Sequence, residues 1–203
     1  VVSGTLTNMP SDLPTLSFAT ADGFADWLAH HHATEAELWL RIAKKSADTP
    51  TLDYAGALEI ALCWGWIDGQ KRALDDTHWL QRFTPRSPRS KWSRINREKA
   101  EALIASGQMQ PAGLAQVEKA RQDGRWDAAY EGQRSAKVPD DLAAALAKSP
   151  TAQAHFDSLD SRNRYSILYR IQDAKRAQTR AARIEKYVGM LARGERIYPT
   201  QAE

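Results

Sequence analysis

The chain has 203 residues, 42% hydrophobic and 26% charged, with a formal net charge of +3, a balance that fits a soluble globular protein of one large domain or two small ones. At this size about 70% of the extended chain's surface can be buried in a core. Charges interrupt every apolar run and the mean hydropathy is -0.57, which excludes a membrane-spanning helix; the opening VVSGTLTNMPSDLP lacks the basic-then-apolar pattern of a signal peptide, so a cytoplasmic location is expected. The single cysteine, Cys63, can make neither an internal disulfide nor a thiolate zinc cluster.

Leu16 to Ala19 reads as a short strand, after which Asp22 caps a helix with Phe24, Trp27 and Leu28 on one face. Glu37 to Ala43 alternates Leu38, Leu40 and Ile42 against Glu37, Trp39 and Arg41, a strand period. Asp53 caps the next helix, with Ala55, Leu58, Ala61 and Leu62 along one side and Gly65 as its left-handed stop. Trp66 to Leu74 and His78 to Thr84 form a β-hairpin through Asp75, Asp76 and Thr77. Beyond the loop TPRSPRSKWS, Ser93 caps a helix to Gly107 with Ile95, Ala102 and Leu103 inward. Pro111 opens another, with Leu114, Val117 and Ala120 on its face and Gly124 at its end. Four more helices start at Pro139, at Ser149 with Pro150, at Ser161 (bearing Tyr165, Leu168, Tyr169 and Gln172) and at Thr179 (bearing Ile184, Val188 and Leu191 before Gly194).

These elements predict an α+β, mainly helical fold: a small antiparallel sheet packed with helices, followed by a C-terminal helical extension. All seven tryptophans lie before residue 127. The expected organisation is a flexible N-terminus over 1–15, a Trp-rich α+β body over 16–130 and a basic helical C-terminal region over 139–198, with a linker near Tyr130 to Val138. Charge is distributed unevenly. Residues 1–84 hold 6 Lys and Arg against 11 Asp and Glu, whereas residues 85–99 hold 6 against 1.

Two stretches, ALCWGWIDGQK (61–71) and FTPRSPRSKWSRIN (83–96), resemble the bacteriocin-protection family also called YdeI/OmpD-associated. The likeness continues into SRNRYSILYRIQDAKRAQTRAARIEKYVGML (161–191) and spans Phe24 to Tyr198; Trp64 stands where the family often shows Phe. The resemblance implies a bacterial protein of bacteriocin protection or stress tolerance and brings no reaction and no cofactor.

The start of the helix after Ser93 carries an unusual load. A helix N-terminus exposes unpaired N–H groups and about half a positive charge, yet Arg86, Arg89, Lys91, Arg94 and Arg97 gather there. An anionic ligand would offset them; so would internal pairing with Asp68, Asp75 or Asp76. In the first case a ligand cleft is expected beside the WIDGQK strand. Arg86, Lys91, Arg97 and Lys71 line it, Ser90, Ser93 and Asn96 supply hydrogen bonds, Trp66 and Trp92 stack on the ligand, and Asp68 orients a donor. The competing account makes the tryptophans core residues with satisfied indole N–H groups. Strand alternation puts Trp66, Asp68 and Gln70 on one face and Ile67, Gly69 and Lys71 on the other.

Cys63 reads as a buried, inert thiol. His30, His31 and His32 point about 100° apart on a helix and cannot converge on one metal ion. No HExxH, GxSxG, GxGxxG or P-loop motif occurs, and the reading favours a non-enzymatic protein over an enzyme. The basic C-terminal helices, with Arg162, Arg164, Arg170, Lys175, Arg176, Arg180, Arg183 and Lys186, offer a second class of function, nucleic-acid binding through phosphates, against a solvated face paired with Asp173 and Glu185. The expected partners are an anionic small molecule or peptide first and nucleic acid second.

Overall fold

The computed structural model describes residues 15–199; the expected flexible N-terminus lies outside the described residues except for Thr15. The fold is α+β and mainly helical, with eight helices and a four-stranded mixed sheet among the described residues. The chain divides into two units, 1–92 with 96–128, and 93–95 with 129–203.

In the first unit, β1 (Thr15–Leu16), β2 (Leu38–Ala43), β3 (Trp66–Ala73) and β4 (His78–Pro85) form a sheet in the order β1-β2-β4-β3. β2, β4 and β3 are antiparallel as the hairpin pattern implies, while the two-residue β1 adds in parallel to β2, making the sheet mixed. Register places Leu38 opposite Phe83, Leu40 opposite Gln81 and Ile42 opposite Trp79, so these six share a face. The helices α1 (Ala21–His31) and α2 (Tyr54–Cys63) cover that face: Phe24 meets Phe83 at 5.9 Å and Tyr54 meets Trp79 at 6.1 Å between ring centroids. The tight 75–77 connection is organised by Asp75, whose Oδ1 accepts from the N–H groups of Thr77 and His78, both at 2.7 Å. The Thr77 hydroxyl, which donates to the same oxygen at 2.8 Å, together with those N–H groups holds its carboxyl well below the usual range, at about 2.

β3 departs from plain alternation. A bulge between Asp68 and Lys71 shifts the register, so that Lys71 stands opposite Gln81 and Arg72 opposite Leu80. Lys71 therefore falls on the face of Asp68 and not with Ile67, a correction to the expected alternation. Gly69 supplies the flexibility that a bulge needs. The buried Gln81 completes it by donating from Nε2 to the carbonyls of Gly69 at 3.0 Å, Gln70 at 3.3 Å and Arg82 at 3.1 Å.

The helices α3 (Arg94–Ala105) and α4 (Pro111–Gln122) follow. α3 buries Ala100 and Leu103, while Ile95 is 53% exposed and Ala102 is exposed, against the expected inward face. Asn96, Ala100 and Leu103 recur at i, i+4 and i+7, and Ile95 and Ala102 lie a helical step to the side. On α4 Val117 and Ala120 are buried as expected, but Leu114 is exposed because Gly113 is the point of close approach to α2. A Cβ there would stand 2.2 Å from the Cys63 carbonyl oxygen. Gly65, Gly107, Gly124 and Gly194, each read as a helix stop, all adopt φ between 72° and 77°, the left-handed closure that L side chains resist.

The second unit holds α5 (Asp140–Ala147), α6 (Pro150–Asp157), α7 (Ser161–Gln172) and α8 (Ala177–Ala192). Its core joins Leu142 and Leu146, Phe156, Ile167, Leu168 and Ile171, and Ile184, Tyr187 and Leu191. Three caps differ from expectation. Thr20 rather than Asp22 caps α1, Asp160 rather than Ser161 caps α7 through a 2.7 Å bond from the Asn163 N–H, and α8 starts at Ala177 with no side-chain cap. Asn163 is fully enclosed and clamps the backbone of Tyr198, donating to its carbonyl at 3.2 Å and accepting from its N–H at 2.9 Å. No helix among the described residues is long and apolar enough to cross a membrane.

Candidate functional site

The basic loop before α3 is knitted together by carbonyl oxygens and aromatic faces. Arg86 is 5% exposed; its N–H donates to the Gly65 carbonyl at 2.9 Å, its guanidinium lies 3.5 Å over the Trp92 ring and its Nη1 donates to the Lys91 carbonyl at 3.2 Å. Trp92 is buried and meets Trp126 edge-on at 4.8 Å. Arg97 donates to Glu101 at 3.1 Å and to the Trp126 carbonyl at 3.3 Å. Arg125 donates to the Ser90 carbonyl at 2.8 Å and holds Asp123, whose carboxyl is lowered by that contact. Ser90 Oγ accepts from the Ser87 N–H at 2.9 Å, closing the turn on itself. Arg94 pairs with Glu131 at 2.6 Å within the second unit, where Ser93 forms an isolated bridge to Tyr130. Lys91 is exposed and Asn96 half-buried.

Trp66 and Asp68 are engaged on the helix-covered side of the sheet. Trp66 is 1% exposed; its indole N–H donates to the His32 carbonyl at 3.1 Å and Trp27 meets it edge-on at 6.0 Å. It is thus a satisfied core aromatic and not an open stacking surface; Trp92 is equally buried, although its indole N–H meets no hydrogen-bond acceptor among the described residues. Asp68 accepts from the Tyr54 hydroxyl at 2.8 Å, Asp75 is taken up by its turn, and Lys71 is exposed on the edge strand. The structure therefore brings Arg86, Lys91 and Trp92 together, with Arg97, Ser90 and Arg125 beside them. Trp66 and Asp68 form a separate group with Trp27, His32 and Tyr54.

The remaining chemistry-bearing residues are quiet. Cys63 is buried, and burial, with Glu59 nearby, pushes its thiol up from the ordinary value. The three histidines each pair Nδ1 with the carbonyl four residues earlier, Asp26, Trp27 and Leu28, at 2.7–2.8 Å. A carbonyl can only accept, so Nδ1 carries the proton. No group of three or more His, Cys, Asp or Glu residues among the described residues is arranged to hold a metal ion. On α8, Arg180 grips Asp141 of α5 with Nε at 2.6 Å and Nη2 at 2.8 Å and caps α7 at the Ile171 carbonyl at 3.1 Å. The pairing lowers Asp141 and raises Arg180. Arg183 donates to the Arg170 carbonyl. Both arginines serve the helical packing.

Beside the Asp141–Arg180 pair, α5 and α8 leave a surface groove of about 650 Å³. Ala145, Ile184 and Val188 form its floor, Ala177, Ala181 and Gly189 its shoulders, and Lys148 and Glu185 its rim. A smaller cavity of about 220 Å³ also borders Arg180, lined by Leu168, Pro139, Lys137 and Gln172 among others. Neither was expected. Ala145, Ala177, Ala181 and Gly189 are small residues whose spacing leaves a channel, a signal masked in sequence by ordinary helix propensity.

The helical second unit thus carries a surface groove with a largely apolar lining. Residues 135–194, which contain that whole unit's groove, match the family described as Bacteriocin-protection, YdeI or OmpD-Associated. Residues 16–116 match a domain of unknown function (DUF8412), so the stretches 61–71 and 83–96 fall under that second description and the family match is narrower than the Phe24 to Tyr198 expected. No curated protein and no solved structure matches the chain.

Proposed function

We propose that this protein serves bacteriocin protection or stress tolerance by binding, and that the α5–α8 groove is its ligand cleft. One observation carries the reading: the segment that matches the bacteriocin-protection family, 135–194, is the segment that holds an apolar groove of about 650 Å³, within the size range of ligand sites. The groove replaces the basic loop as the preferred cleft because the loop's guanidiniums already hold carbonyls, carboxylates and indole rings.

The test is survival under bacteriocin challenge of bacteria producing the intact protein or its Ala181→Trp variant, at matched protein levels. Ala181 is exposed on the groove's shoulder, so the indole fills the channel without entering the core. Protection by the parent chain and its loss in the variant is the expected result. Equal protection by both, with both folded by thermal melting, would remove the groove from the function.

A further inference from the structure

The first unit's sheet has a second face, turned away from α1 and α2. Tracing the register, Arg41 of β2 and Arg72 of β3 both stand directly opposite Leu80 of β4, and Trp39 stands opposite Arg82. These five, with Ile67 and Thr84, point away from Phe83, Gln81 and the helices. Arg41 and Arg72 are exposed, and Arg82, Leu80, Ile67 and Thr84 are half-buried. Neighbouring strands lie about 4.8 Å apart, so the Arg41 and Arg72 backbones flank Leu80 across roughly 10 Å.

Charge on this face is one-sided. Three guanidiniums meet one carboxylate, Glu37, which is spent on Arg82 through Nε at 2.9 Å; Asp68, the single acid within the four strands, is on the other side. Arg41 has no ion-pair partner among the described residues. Arg72 lies 4.5 Å over the ring of Trp39, which is itself 4% exposed. The guanidinium is held over the indole, and a guanidinium is a planar cation on which bases stack.

We infer that this second sheet face binds single-stranded nucleic acid, with Arg41 on the phosphates, the Arg72–Trp39 stack under a base and Leu80 as the apolar floor between them. An acidic peptide would satisfy the charge, but it has no use for a planar guanidinium placed over an indole. The bulge at Gly69 and Gln70 is what makes the site, since it is the register shift that turns Arg72 onto this face. The inference is independent of the groove in the second unit.

The experiment is fluorescence anisotropy of a labelled mixed-sequence single-stranded DNA titrated with the intact protein at several salt concentrations. Binding should weaken with salt, and the double variant Arg41→Ala with Arg72→Ala should lower affinity roughly tenfold or more and flatten the slope by about 0.7, the one single-strand phosphate contact assigned to Arg41. Arg72→Lys keeps the charge and loses the plane, so it should retain the slope and lose affinity. Absence of binding at low salt, a double variant indistinguishable from the parent, or equal binding of polyglutamate would each overturn the inference. All the substituted side chains are exposed, and an unchanged far-ultraviolet circular-dichroism spectrum and melting temperature confirm that the sheet remains folded.

Discussion

Gly113→Ala sets two physical effects in opposition. Gly113 is an interior residue of α4, and on helix propensity alone alanine there should stabilise by about 1 kcal/mol. The geometry demands the reverse. The new Cβ would sit 2.2 Å from the Cys63 carbonyl oxygen, 2.8 Å from the Leu62 carbonyl oxygen and 2.5 Å from the Met109 sulfur. Met109 can swing aside, but the two oxygens belong to the C-terminal turn of α2 and cannot, so α4 must retreat by roughly an ångström from a closely packed contact. Overpacking of this kind costs about 3 kcal/mol, leaving a net loss of about 2 kcal/mol after the propensity gain. With a urea slope of about 2 kcal/mol per molar, the midpoint should fall by about 1 M. Tryptophan fluorescence is the right probe, because every tryptophan lies in the first unit. Gly107→Ala is the control: open space surrounds it but φ is +73°, so it should cost about 1 kcal/mol through backbone strain alone. A Gly113→Ala midpoint equal to or above the parent's would show that the α2–α4 contact is not as close as described.

Three further outcomes follow from particular hydrogen bonds. Gln81→Leu removes the amide that serves three carbonyls at the bulge and should cost about 1–3 kcal/mol in urea unfolding; a neutral result would mean that water serves those carbonyls equally well. Asn163→Ala removes both bonds to the Tyr198 backbone and should cost about 2 kcal/mol, with faster hydrogen exchange of the Tyr198 amide; unchanged exchange would show that the clamp does not hold that segment. Asp75 carries a carboxyl lowered to about 2, so its turn contributes most above the unfolded carboxylate value and loses that contribution as pH falls through about 2. The Thr77 and His78 amide resonances should titrate with a midpoint near that value, and a midpoint at the ordinary carboxylate value would contradict the bonding drawn for the turn.

Much of the fold was legible because its signals are local. Glycine after a run of periodic apolar residues means a left-handed closure at Gly65, Gly107, Gly124 and Gly194, whatever the chain does elsewhere. Alternation in Glu37 to Ala43 gave β2 and its inward Leu38, Leu40 and Ile42. The failures are equally physical. Which stripe of α3 turns inward depends on the partner helix, and the choice between the Ile95–Ala102 stripe and the Asn96–Ala100–Leu103 stripe is a matter of about a third of a turn that composition does not fix. The bulge at Gly69 and Gln70 depends on a residue eleven positions away, Gln81, whose amide fills it. A glycine inside a strand hints at such a break; it does not say which side chain will complete it.

The candidate site was legible only in its charge. A surplus of cations before α3 invites an anion or a set of carboxylates, but the chain uses a third means of neutralising it: peptide carbonyls and indole rings, which leave no trace in a count of acids and bases. Arg86 on Trp92 and Arg125 on the Ser90 carbonyl are contacts of this kind, and neither ring nor carbonyl enters a charge balance. The reverse holds on the sheet. Arg41 and Arg72 sit in strands with ordinary composition, 31 residues apart in sequence, and only the register that sets both against Leu80 turns two scattered arginines into one surface. A cluster in sequence can therefore be consumed by the fold while a dispersed set is assembled by it, and for cationic sites the deciding quantity is the acceptor each guanidinium meets.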